Sequence, residues 1–139
     1  MAMSLIQGIH RRWASSGPLC ALLPASRVST GLSADPAVPR AVIRKESDRP
    51  LAACNDGSTV ASVGVRIEVF HGDYDAAAAI VDQINAAMDR VDFALDDGDK
   101  VIDMRRTNGS EQQQDDGLWR MVVDFTCAVQ MAARTGEPA

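Results

Sequence analysis

Two stretches of alternation dominate what this chain can become. In "STVASVGVRIEVFHG", Val63, Val65, Ile67, Val69 and His71 fall on one side, and Ser62, Gly64, Arg66, Glu68 and Phe70 on the other. In "LWRMVVDFTCAVQM", Trp119, Met121, Val123, Phe125, Cys127 and Val129 share a side, while Arg120, Asp124 and Thr126 mark the opposite one. A period of two is the side-chain repeat of an extended strand. Each run therefore predicts a long strand with one apolar face, and that face needs a second layer to cover it.

The covering layer reads as a change of period. From Asp73 onward Ala77, Ile80, Ile84, Met88 and Val91 line one side of a helix, with Asp82, Asn85 and Asp89 turned away. Near the start, Leu5, Ile6, Ile9 and Trp13 form a helical stripe over residues 4–15, closed by "SSGP". The first thirty residues hold no acid and several arginines and serines, the composition of an organelle transit peptide. The apolar stripe favours reading them instead as the first helix of the fold.

Between these helices, prolines at 18, 24, 36 and 39 predict extended segments and turns. A short strand is expected near Arg27 to Thr30, and another in "PRAVIRKES", opened by Pro39. Asp56-Gly57 in "NDGST" is a hairpin signal. "VDFALDDGDKVIDMRR" gives two short strands around an acidic turn, and "TNGSEQQQDDG" reads as a polar loop over 107–117. The whole is α+β, one mixed or antiparallel sheet covered by two helices, forming a single domain over residues 1–131 with 132–139 as a loose tail.

Chemistry is sparse. His71, Asp73 and Asp75 lie within five residues, and imidazole with carboxylates suits a transition metal. An acid at a helix start has a simpler duty, however: Asp73 can act as N-cap and Asp75 can sit in the first-turn dipole. A calcium loop in "DFALDDGDKVID" fails on register, since placing Gly98 at position six puts Met104 where a bidentate glutamate belongs. Only two histidines are present, His10 and His71, and His10 beside two arginines is expected to be exposed. There is no GxSxG and no glycine-rich phosphate cradle. Three scattered cysteines suggest neither a disulfide framework nor zinc, but reduced and mostly buried thiols in a cytosolic setting. No cofactor, catalytic residue or metal is expected, and the alternative is a small metal-binding or enzymatic domain using His71, Asp73 and Asp75.

The net charge of −5 is unevenly spread. Residues 1–50 carry seven bases against three acids, +4, and the remainder seven against sixteen, −9. The acidic part should repel nucleic acid, and no basic stripe interleaves with aromatics. No apolar run approaches the roughly 20 residues of a membrane-spanning helix, so no membrane partner is expected.

"MSLIQGIHRRW", "VPRAVIRKES", "VRIEVFHGDYDAAAAIVDQINAAMD" and "DDGLWRMVVDFTCAV", in that order from about Met3 to Val129, resemble the tail-terminator, or tail-completion, proteins of long-tailed phages and prophages. The resemblance implies a structural, non-enzymatic α+β domain assembled into a ring, commonly a hexamer. That ring would cap the tail tube protein and dock it to the head-tail connector or adaptor protein. An acidic wall around its channel would let DNA pass without specific binding. The resemblance also implies a place in the tail or neck of a virion assembled in the bacterial cytoplasm. The "FHGDYD" joint and the 107–117 segment depart from the family pattern. Candidate subunit or partner contacts, chosen for expected exposure, are Arg66, Glu68 and Phe70 on the polar strand face and Asn108, Gln113 and Asp115 in the polar segment.

Overall fold

Ser4 starts the first helix with reciprocal bonds: its hydroxyl accepts from the Gln7 amide at 3.1 Å, and the Gln7 side chain accepts from the Ser4 amide at 3.0 Å. This is α1, Leu5–Ala14, in a computed structural model that describes residues 4–30 and 37–133. Its face of Leu5, Gly8, Ile9 and Trp13 is buried. Trp13 is wholly enclosed, and its indole N–H donates to the Leu23 carbonyl at 2.9 Å, fastening the next segment down.

That segment departs from expectation. Instead of running extended after the first helix, it holds a second one, α2, Gly17–Leu22, capped by Ser16. Pro18 falls in its first turn, where no intrahelical N–H is required, and Pro24 comes only after it ends. Three helices are therefore present among the described residues, not two. A 3-10 turn at Ala25–Arg27 leads into β1, Val28–Ser29, as the sequence suggested. His10 is not exposed on its helix: it is half-buried, and Nε2 lies 3.1 Å and 3.0 Å from the Ala25 and Val28 carbonyls, which assigns the proton to that nitrogen.

The remaining elements are β2 (Arg40–Ala53), β3 (Thr59–His71), α3 (Tyr74–Met88), β4 (Val91–Ala94), β5 (Lys100–Gln113) and β6 (Trp119–Met131). The six strands form one mixed sheet in the order β1-β2-β3-β6-β5-β4, with β1 parallel to β2 and every other pair antiparallel. β3 and β6 pair without a break from Thr59↔Met131 to His71↔Trp119. Their apolar residues meet across the ladder as Val65↔Phe125, Ile67↔Val123 and Val69↔Met121, and all six are buried. α1, α2 and α3 contribute Ile9, Trp13, Leu19, Ile80, Ile84 and Met88 to the same core.

The hairpin at Asp56-Gly57 forms as expected, with the Asp56 carboxylate accepting from the Ser58 hydroxyl at 2.6 Å and amide at 2.9 Å. Those bonds, the hydroxyl's first, hold the Asp56 carboxyl below its usual range. Gly57 and Gly98 supply the positive φ of the β2–β3 and β4–β5 turns. α3 ends at Met88, earlier than the helical stripe predicted: Arg90 turns the chain at φ 60, and Val91 belongs to β4.

Two strands are longer than the sequence suggested. Residues 107–117 are not a loop, since β5 continues to Gln113 and the turn is confined to the few residues between Gln113 and Trp119. Every residue from Arg105 to Gln113 is exposed, so no apolar alternation betrays the strand. β2 likewise runs on through Pro50 to Ala53, with bulges between Lys45 and Ser47 and between Pro50 and Ala52. An edge position tolerates a proline, which donates no ladder bond. The predicted tail at 132–139 lies outside the described residues beyond Ala133. No helix among the described residues is long and apolar enough to cross a membrane.

The thiols differ from the expectation of mostly buried cysteines. Cys127 is buried, Cys20 is intermediate and Cys54 is exposed. Burial pushes the Cys127 thiol up to about 12.

The enclosed indole and the unequal thiols can both be probed in solution. Trp13→Ala should cost about 3–5 kcal/mol in urea unfolding, and Trp13→Phe about 1–3 kcal/mol through the orphaned Leu23 carbonyl. In a thiol titration at pH 8, Cys54 should react at once, whereas Cys127 should react only after denaturant is added.

Candidate interaction surface

The helices cover only one face of the sheet. On the other, alternation gathers charged residues of β2, β3 and β6: Arg44↔Arg66↔Asp124 form one cross-strand row, and in a neighbouring row Glu68 lies between Val42 and Val122. Glu68 is at the centre. Its carboxylate accepts from Arg44 Nη2 at 2.7 Å on one oxygen and from Arg120 Nε and Nη2, both at 2.7 Å, on the other. Arg66 donates to Asp124 at 2.8 Å and 3.3 Å and lies 3.5 Å from Glu46, which also meets Arg44 at 3.4 Å. The bond to Asp124 holds the Arg66 guanidinium above its usual range.

The sequence placed Arg66, Glu68 and Phe70 on this face, and the structure brings them there. Their expected exposure does not hold. Glu68 is buried, with 6% of its surface accessible, because two guanidinium groups lie over it. Phe70 is half-buried under Arg40, whose guanidinium stacks 4.1 Å from the ring centre. Arg66 is partly covered by its acidic neighbours. Arg40 Nε is buried and has no hydrogen-bond partner among the described residues.

The other three candidates lie at the sheet's edge. Asn108 and Gln113 belong to β5, with Gln113 donating to the Gly117 carbonyl at 3.3 Å, and Asp115 is exposed in the following turn. Alongside them, α3 and β5 enclose an open groove of about 340 Å³ lined by Tyr74, Val81, Asp82, Arg106, Glu111 and Met121, among others. The Tyr74 hydroxyl donates to the Glu111 carboxylate, 2.8 Å and 2.9 Å from its two oxygens, which raises the phenol above its usual range.

The residues of the metal-binding alternative are not brought together as a ligand set among the described residues. His71 Nδ1 accepts from the Asp73 amide at 3.0 Å, the Asp73 carboxylate caps α3 by accepting from the Ala76 amide at 2.9 Å, and Asp75 is exposed in the first turn. Two of the three thus have local duties at the strand–helix joint. No group of three metal-capable side chains converges among the described residues.

Sequence reasoning missed Arg40, Arg44 and Glu46 as members of the charged face. Their alternation in "PRAVIRKES" was available as a signal, but which acid each arginine meets depends on strand order. Asp124 and Arg120 were already marked on the polar side.

In comparison with known proteins, residues 7–130 match the family described as Tail completion protein gp17. No curated protein matches in sequence. A chain in the solved structure "Virion of native gene transfer agent (GTA) particle" has the same fold, with a TM-score of 0.73 at 14% identity, over 92% of this chain and 96% of that one. Because the family match takes in both alternating strands, the covering helices and the charged face together, the chain belongs to the tail completion protein gp17 family, a structural, non-enzymatic component of the tail and neck region of a phage-type virion.

Proposed function

We propose that copies of this chain form a ring, six in the form the resemblance implies, that terminates the tail tube and joins it to the head-side connector. The observation that carries this reading is the ion-paired face of the sheet. It is too polar to be a core that merely lacks a lid, and six of its charges are already paired within the subunit. Turned toward a water-filled channel, Glu46, Glu68 and Asp124 offset Arg44, Arg66 and Arg120.

Such a face gives passing DNA few free cations to exchange for its counterions, so phosphates slide without being held. The acidic wall expected from the charge balance becomes, in this reading, a charge-neutralised one. The fold shared with a chain of a gene transfer agent virion supports the same placement.

The channel reading makes Glu68→Gln informative. It leaves Arg120 without its counter-charge and Arg44 with Glu46 alone, so it should destabilise the subunit by about 1–3 kcal/mol in urea unfolding. It should also increase retention of double-stranded DNA at low salt, with the gain abolished near 0.5 M salt; unchanged retention counts against the channel placement. Particles made without the chain should yield filled heads and separate, uncapped tails in electron micrographs. Intact joined particles would overturn the function.

A further inference from the structure

Two strands overrun their outer neighbours at diagonally opposite corners of the sheet. β1 pairs only with Ala41 and Val42 of β2, so among the described residues no strand lies outside β2 from Arg44 to Ala53. β4 pairs with β5 only between Lys100 and Met104, and the Arg106 amide is taken by Asp89 at 2.8 Å, so among the described residues no strand lies outside β5 from Thr107 to Gln113. Both segments are exposed along their length. Long bare edges invite pairing with another chain, and a family whose chains work inside an assembled particle supplies copies to pair with.

The sheet's own geometry restricts how two copies can meet. β2 and β5 run in opposite directions, so placing one sheet beside another in the same orientation makes the contact antiparallel. Keeping the helix side of both copies on one side allows only even staggers along the strands. A stagger of about two residues drives Pro50 against Met104, where β4 already sits, and about six sets Asp48 against Glu111. About four sets Lys45 opposite Glu111, an opposite-charge pair, and brings Pro50, which has no amide hydrogen, opposite Arg106, whose amide is already used. Four residues are about 13 Å, and the four long strands span about 19 Å, so the strands tilt by about 35° to the ring axis, within the range of closed barrels.

We propose that the outer edge of β2 from Arg44 to Ala52 pairs antiparallel with the outer edge of β5 of the next copy, Lys45 facing Glu111. The sheet then runs unbroken around the ring. This deepens the ring reading and rests on it.

The test is oxidation of the full chain carrying Lys45→Cys and Glu111→Cys, with Cys54→Ser to remove the exposed native thiol. Within one chain these positions lie three strand spacings apart and four residues offset along the strands, about 19 Å, beyond the roughly 7 Å reach of a disulfide. Any bond between them therefore joins copies. A non-reducing gel should show a ladder ending at the mass found by light scattering on the same sample, with either single cysteine giving no species beyond a dimer. Oligomers without a ladder would overturn the edge pairing and leave the ring standing; monomers at every concentration would overturn both. In a second arm, Lys45→Glu should raise the assembly midpoint about tenfold, and adding Glu111→Lys should restore it. No restoration would remove Lys45 and Glu111 as facing residues.

Discussion

The pairing of β3 with β6 holds the rest of the structure in place. These strands are some sixty residues apart in the chain, yet they meet in one uninterrupted register and form the middle of the sheet. One face of the pair presents Val65, Ile67, Val69, Met121, Val123 and Phe125 to the helices, and the other aligns Arg66 with Asp124 and Glu68 with Val122. A slip of one residue would exchange the faces, burying the arginines and exposing the core. The register is thus enforced from both sides, by apolar burial above and by ion pairing below.

The charged face also shows why exposure is a poor guide to a contact surface. Glu68 looks like a solvent residue in the sequence, but two arginines converge on it and remove it from water. A carboxylate in that position is acceptable only because both oxygens are bonded to cations. Arg40 is the reverse case, a cation stacked on Phe70 with a buried nitrogen that finds no acceptor among the described residues. The face is mostly closed upon itself, and the open hydrogen-bonding capacity of the sheet lies at its two overrunning edges.

Legibility in the sequence followed burial. The core strands, α1 and α3 could be read because each has one dry face and one wet one, which writes a period into the residues. β5 beyond Arg105 could not, because both faces are wet and its support comes from backbone bonds to β6. α2 was hidden by Pro18, because a proline signals breakage in general but is harmless in a first turn. At the "FHGDYD" joint the local chemistry was legible, since capping depends on neighbours a few residues away, and Asp73 caps as expected.

The sequence by itself determined the elements whose side chains divide between oil and water, the hairpin turn at Asp56-Gly57, the cap of α3 and the family resemblance. All of these rest on interactions spanning a few residues or on a repeated period. Only the tertiary structure decided the strand order, the burial of Glu68 between Arg44 and Arg120, and the two bare edges at opposite corners. Those depend on which strands lie side by side and how far each outruns its neighbour, a matter of register between distant segments that no local pattern encodes.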